Sequence, residues 1–360
     1  MTQQPAPIRV LVVDDSLLFR LKFEQALSRD KEITIVGTAG SAAEAMKKIE
    51  ELHPDMVTLD VEMPKVSGIA FLRSLIPLHP LPVLVISSRP ESSLDALEAG
   101  AIDFEPKPVV NQPGDLDEFF DHLRDKIKDI ARSNPSHGML RSRESLTAAT
   151  AAVAARILKP ITLPPNVDGG WAVIAIGAST GGTEAILQVV KDLPPTTPGI
   201  VIVQHMPPVF TKLYAERLNR VCQMSAKEAQ DGDRVETGKI IVGAGDFHLS
   251  LMKDAKGYFV RSLKGEKVSG HCPSVDVLFQ SAAKSAGAHC LGIILTGMGA
   301  DGARGITQLR QSGAFTIGQN QESCVVYGMP MEAKKLGGIA VELPVSRIGQ
   351  EILSQLVKRH

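Results

Sequence analysis

A chain of 360 residues exceeds the usual reach of one hydrophobic core, so two domains are expected. A net charge of -1 gives no electrostatic pull toward nucleic acid or anionic membrane, and no run approaches the roughly 20 apolar residues of a membrane span. The polar start at residues 1–7 predicts no signal peptide, and Cys222, Cys272, Cys290 and Cys324 form no CxxC pair, which fits a cytoplasmic protein without a zinc ribbon.

The β-branched run at residues 8–13 predicts a buried strand. Ser16 caps the next stretch, where Leu17, Leu18, Leu21, Phe23 and Leu27 are read as one helical stripe. Residues 33–38, 56–59, 83–86 and 101–104 predict four further strands. Ser41 caps a helix reaching Leu52, and residues 116–130 predict a closing helix. Alternating strands and helices imply an α/β domain with a parallel sheet covered on both faces. From 133 to 168 the pattern fails between two loop-like segments, with an alanine-rich stretch between them. The chain is therefore divided into a domain at 8–131, a linker at 132–168 and a second domain at 169–358. In the latter, residues 171–176, 199–203, 239–242, 290–295 and 314–318 predict strands. Residues 184–190, 212–220, 275–286 and 303–311 predict helices, and 248–252 with 258–261 a hairpin. This is a second, doubly wound α/β domain with a mainly parallel sheet, whose ligands belong at the carboxyl ends of the strands.

Polar residues gather at those ends. Asp14 and Asp15 follow the first strand, Asp60 ends the third, Ser87 ends the fourth and Lys107 follows the fifth. Alone, Asp14 and Asp15 read equally as helix caps. With a third carboxylate, a hydroxyl and a lysine at successive strand ends, the set suits a Mg²⁺ ion and a phosphoryl group. In the second domain Gly177-Ala178-Ser179-Thr180-Gly181 satisfies G-x-S-x-G between a strand and a helix. That turn reads equally as a phosphate cradle or a tight turn. His205 and Asp301 also follow predicted strands, and the three together outline a nucleophile, a base and an orienting acid. The glycines around Met298 leave backbone N–H groups available for an oxyanion. A pairing of Cys272 with His271 or His205 is a minor alternative.

The first domain resembles the receiver domain of two-component response regulators. The residues that carry the likeness are Val13-Asp14-Asp15-Ser16, Leu59-Asp60-Val61-Glu62-Met63-Pro64, Ile86-Ser87-Ser88 and Lys107-Pro108. The resemblance implies a flavodoxin-like, five-stranded parallel sheet and phosphorylation of Asp60 by a chemotaxis histidine kinase. It also implies Mg²⁺ on Asp15, Asp60 and the Glu62 carbonyl, with Asp14 acting through water. Ser87 and Lys107 would bind the phosphoryl oxygens, and Phe104 would occupy the aromatic switch position, where many relatives carry tyrosine.

The whole chain apart from the linker resembles the chemotaxis methylesterase (CheB) family. The matching segments are residues 176–184, Gln204-His205-Met206-Pro207, Pro273-Ser274-Val275-Asp276 and Thr296-Gly297-Met298-Gly299-Ala300-Asp301-Gly302. The family implies Ser179 as nucleophile, His205 as base, Asp301 as orienter and the Met298 N–H as oxyanion donor, with no cofactor in this domain. Its substrates would be glutamyl methyl esters, and some glutamines, on methyl-accepting chemoreceptors. The unphosphorylated receiver would cover the catalytic cleft. Cys272 stands where relatives usually carry a basic residue. Two rival readings stay open at this point: a non-catalytic regulator with a binding domain, and a small-molecule esterase under phosphorelay control.

Overall fold

Short β-branched runs, each followed by an amphipathic segment, build strand–helix units twice over in the computed structural model, which describes residues 6–64, 66–108, 114–132 and 170–358. The chain separates into two units, Met1–Glu144 and Ser145–His360. The expected linker lies outside the described residues except for Arg132, the last residue of a helix.

The first unit holds β1 (Ile8–Val13), β2 (Ile33–Ala39), β3 (Met56–Asp60), β4 (Val83–Ser87) and β5 (Asp103–Pro106) in the order β2-β1-β3-β4-β5. All pairs are parallel. Every residue of β3 and β4 is buried, as a sheet covered on both faces requires. The covering helices are α1 (Leu17–Leu27), α2 (Ala42–Leu52), α3 (Gly68–Leu78), α4 (Pro90–Glu98) and α5 (Asp115–Arg132). Ser16 and Ser41 cap α1 and α2 as expected, their hydroxyls accepting from Phe19 N and Glu44 N.

The single apolar stripe expected on α1 is corrected. Phe23, Ala26 and Leu27 are buried, whereas Leu17, Leu18 and Leu21 are 62%, 65% and 53% exposed. The helix carries two apolar stripes, and only one can face the sheet. The aromatic one wins, because Phe23 meets Phe120 of α5 edge to face at 5.2 Å.

The second unit has a seven-stranded sheet in the order β14-β13-β12-β6-β7-β9-β8. Its strands are β6 (Val173–Ala178), β7 (Gly199–Gln204), β8 (Ser225–Glu228), β9 (Lys239–Val242), β12 (Cys290–Ile294), β13 (Phe315–Gln319) and β14 (Val341–Leu343). Every pair is parallel. A separate antiparallel hairpin, β10 (Phe247–Asp254) with β11 (Gly257–Lys264), falls where the sequence places one. The helices are α6 (Gly182–Val190), α7 (Phe210–Val221), α8 (Val275–Ser285), α9 (Ala303–Gln311), α10 (Met329–Lys335) and α11 (Val345–Lys358). The chain leaves β6 toward β7 on one side and returns to β12 on the other, so the strand order reverses at β6. A crevice opens at such a reversal, beyond the carboxyl ends of the strands. The same reversal occurs at β1 in the first unit. Among the described residues no helix is long and apolar enough to cross a membrane.

A buried ion cluster fixes the end of β5. Lys126 of α5 donates to Phe104 O at 2.7 Å and lies 3.0 Å from Asp103 and 3.1 Å from Glu105. Burial opposes the charge on Glu105, but Lys126 and His122 outweigh it and hold the carboxyl down at about 2. Burial likewise opposes the Lys126 charge, yet the two carboxylates push its pKa up to about 12. A carboxyl pKa depressed below its unfolded value stabilises the fold above that value and ceases to do so as pH falls through the folded one. The Glu105 contribution, about 3 kcal/mol, is therefore present above the unfolded value of 4.5 and lost as pH falls toward about 2. In urea unfolding of the first unit followed against pH, Glu105→Gln is expected to lower stability at pH 7 and flatten the loss below 4.5. An unchanged acid limb would contradict this assignment.

Candidate active site and phosphoacceptor site

Strand β6 delivers Ser179 at its carboxyl end, into a turn whose Gly181 has φ +73 before α6 begins. A side chain at Gly181 would be strained and would meet Val325 Cγ2 at 2.5 Å. Backbone bonds hold the serine from several sides. Its N–H donates to Thr296 O (3.0 Å), while its carbonyl accepts from Gly182 N (2.7 Å) and from Gln204 Nε2 (2.9 Å). The Thr296 hydroxyl in turn donates to Thr180 O and accepts from Val326 N, joining three loops around the serine.

His205 follows β7, and its backbone N–H donates to Ala178 O at 3.2 Å. Its ring Nε2 lies 2.9 Å from Asp301 Oδ2. An ionised carboxylate can only accept, so Nε2 carries the proton and Nδ1 holds the lone pair. Nδ1 is buried and has no hydrogen-bond partner. The Nδ1 lone pair is thus left able to accept a proton. The structure brings His205 and Asp301 together as the sequence suggests. It sets Ser179 beside them through the backbone, without a hydrogen bond between Ser179 Oγ and His205. Such bonds are often long in unliganded sites.

Asp301, with its side chain 1% exposed, is held by a segment that the sequence reading matched to the family without giving it a role. Ser274 Oγ and Asp276 N donate to Oδ1 at 2.8 and 3.0 Å, and Val275 N donates to Oδ2 at 2.7 Å. These are the cap and first amides of α8, where free N–H groups and the helix dipole favour an anion. Burial by itself raises the Asp301 pKa, but the bond to His205, the charge that ring carries when protonated, the Asp276 amide and the Ser274 hydroxyl together hold it below the ordinary value. The available signal was Ser274 ahead of an apolar helical pattern, which marks a capped helix start without saying what anion it faces. Asp276 behaves oppositely. Burial raises its pKa, the Gly305 N–H offsets part of that, and Asp301 adds to the rise.

Met298 lies on the same loop as Asp301, half-buried, and its N–H has no acceptor among the described residues. The loop is braced from behind, because Gly297 O accepts from Gly328 N (3.2 Å) and Met329 N (2.9 Å). Cys272 is a poor nucleophile here, since burial pushes its thiol pKa up. One further ring enters the site: His271 stacks on His205 with centroids 3.7 Å apart and planes 10° from parallel.

In the first unit, the oxygens of Asp14, Asp15 and Asp60 lie within 4.8 Å of one another at the β1 and β3 ends. Lys107 Nζ bridges Asp60 Oδ2 at 2.6 Å and Asp14 Oδ2 at 3.0 Å. Burial raises the Asp14 pKa, partly countered by that lysine. Burial also disfavours the Lys107 charge, but the two carboxylates more than restore it. Glu62 donates its N–H to Asp60 Oδ1 at 2.9 Å. Ser87 sits at the neighbouring strand end, but its hydroxyl is bonded to the Arg89 backbone rather than to the acidic cluster. Phe104 is buried. Three crowded hard oxygens of this kind match the donor preference of Mg²⁺.

These two sites define a class, a response regulator whose effector is a hydrolase. A family model for the CheB methylesterase matches residues 174–352, and one for the response regulator receiver domain matches residues 10–118. A protein-glutamate methylesterase/protein-glutamine glutaminase of Syntrophomonas wolfei is 50% identical over 348 residues, covering 96% of each chain. One from Pseudomonas aeruginosa is 43% identical over 357 residues, covering 98% of each. The solved catalytic domain of the Thermotoga maritima CheB methylesterase superimposes with a TM-score of 0.50 at 36% identity, covering 52% of this chain and 99% of that one. The chain belongs to the protein-glutamate methylesterase/protein-glutamine glutaminase family.

Gly328 offers a test of the loop bracing. A Cβ there would lie 2.6 Å from Gly297 O and 3.0 Å from Gly299 N, both backbone atoms that cannot swing aside. Gly328→Ala is expected to displace the Met298 segment and lower the ester-hydrolysis kcat by roughly tenfold to a hundredfold, with KM little changed. Wild-type kcat in this variant would show that the loop position is immaterial.

Proposed function

We propose that this protein hydrolyses γ-glutamyl methyl esters on cytoplasmic helices of methyl-accepting chemoreceptors, and deamidates some of their glutamines. Activity is raised by phosphorylation of Asp60 from a chemotaxis histidine kinase. On this reading residues 8–131 form the receiver, 132–168 the linker and 169–358 the catalytic domain. The observation that supports the mechanism best is the His205 ring, bonded to buried Asp301 through Nε2 and left with a buried, unpartnered Nδ1.

Ser179 Oγ attacks the ester carbonyl while His205 Nδ1 takes the hydroxyl proton. The imidazolium so formed keeps its Nε2–H on Asp301, whose depressed pKa keeps it ionised as the ring becomes charged. The carbonyl oxygen becomes an oxyanion and accepts from the Met298 N–H. Collapse of the tetrahedral species breaks the C–O bond to the methoxy group, which leaves as methanol with the proton from Nδ1. Water, deprotonated by the same nitrogen, then cleaves the acyl-enzyme to glutamate and restores the serine. With glutamine the leaving group is ammonia. Ser179→Ala is expected to cut methanol release from methylated receptor by roughly a thousandfold or more. Retention of full activity would remove Ser179 from this role.

In the receiver, Asp14, Asp15, Asp60 and the Glu62 carbonyl would hold Mg²⁺, which when bound neutralises charge on the incoming phosphoryl group. Lys107 and Ser87 would bind the phosphoryl oxygens, and Phe104 would report the change as the aromatic switch. For Lys107 this requires exchanging one carboxylate partner for the phosphoryl group. Ser87 would have to give up its Arg89 bonds. Phosphorylation then shifts the population toward a form with an open catalytic cleft. Asp60→Asn is expected to accept no label from the phosphorylated kinase and to lose the accompanying rise in esterase rate. Continued phosphotransfer to the variant would refute Asp60 as the acceptor.

A further inference from the structure

His205 is constrained by more than its bond to Asp301. A hydrogen bond at Nε2 fixes the far tip of the ring and leaves its plane free to tilt, which would swing Nδ1 away from an attacking hydroxyl. The ring of His271 lies flat against that plane, 3.7 Å away and within 10° of parallel. His271 is carried on a tight turn. Val268 N donates to His271 O and His271 N to Val268 O, both at 3.0 Å, and the two residues between, Ser269 and Gly270, have φ of +53 and +84. Two positive φ angles inside a two-residue loop are the requirement of the type I′ hairpin, a stiff connection. The turn is tied to the helix that holds the acid. Ser269 Oγ lies 3.4 Å from Asp276 Oδ2, and the Asp276 amide donates to Asp301. The start of α8 thus anchors both constraints on His205, the bond in its plane and the ring across its face.

We infer that His271 is a positioning residue for the esterase, fixing the plane of His205 through ring stacking so that Nδ1 meets the serine hydroxyl. This rests on the Ser179–His205–Asp301 reading above. Stacking also sets a π-face against the imidazolium that forms during each acyl-transfer step, an arrangement that favours the charged ring. The contribution belongs to the transition state, so it appears in kcat rather than in KM.

The test is methanol release from methylated receptor by the full-length chain, with kcat and KM measured for His271→Ala, His271→Asn and His271→Phe. Ser179→Ala and His205→Gln serve as controls. Alanine removes the ring, asparagine keeps a polar group without the ring, and phenylalanine keeps the ring without nitrogens. The expected result is a loss of kcat of about thirtyfold in the alanine and asparagine variants with KM within about twofold, and about threefold or less in the phenylalanine variant. Wild-type kcat in the alanine or asparagine variant, or equal losses in the asparagine and phenylalanine variants, overturns the inference. If the alanine variant does not fold, the comparison of phenylalanine with asparagine decides alone. If Ser179→Ala or His205→Gln retains activity, the triad reading itself fails, whatever His271 does.

Discussion

The catalytic unit turns on the way Asp301 is solvated inside the protein. A carboxylate taken out of water is tolerable only if its lone pairs are met. Here they are met by the Ser274 hydroxyl, two amides at the start of α8 and the His205 ring. Three of those donors belong to a helix cap, so the charge is fixed by backbone rather than by long side chains. Once Asp301 is ionised and immobile, the tautomer of His205 follows, and the unpartnered lone pair falls on Nδ1. The parallel sheet brings these groups into register. β6, β7 and β12 are adjacent, and each ends at one member of the set or at the loop that carries it. The acid lies seven residues beyond β12, and the intervening glycine-rich loop also places Met298.

Much of this was legible in the sequence because strand ends were. Apolar runs locate β1, β3, β4, β5, β6, β7 and β12 within a residue or two, and a residue following such a run must lie at the edge where ligands bind. Asp60, Ser179, His205 and Lys107 are therefore placed by pattern. The pattern failed where neighbours decide. Polar β8, with sequence Ser225–Glu228, becomes a strand only because β9 pairs with it at the sheet edge, and β14 has three residues. On α1, leucines and phenylalanines both mark apolar faces, and only the packing of α5 decides between them. His271 lies more than sixty positions from His205, on a turn that Ser269-Gly270 marks without indicating which ring it would bring His271 against. No periodicity connects the two rings.

The two sites solve the same electrostatic problem with opposite materials, and the difference suits their tasks. In the catalytic unit the anion is balanced by amides that cannot leave, by a hydroxyl on the same cap and by one ring. In the proposed mechanism that geometry survives every turnover, because the proton moves while the carboxylate stays put. In the receiver, Asp60 and Asp14 are balanced across their Oδ2 atoms by Lys107, an ammonium on a flexible stem that burial disfavours and the two acids restore. A lysine can turn from one oxygen to another at the cost of a few side-chain rotations, which is what the proposed phosphorylation of Asp60 would require. Neighbouring β5 is instead locked by Lys126 between Asp103 and Glu105, with Phe104 O on the same ammonium. Lys107 therefore directly follows a stiff strand end, which closes at Pro106. A stiff element passes a small displacement on rather than absorbing it, which is the property the proposed phosphorylation switch would need at this strand end.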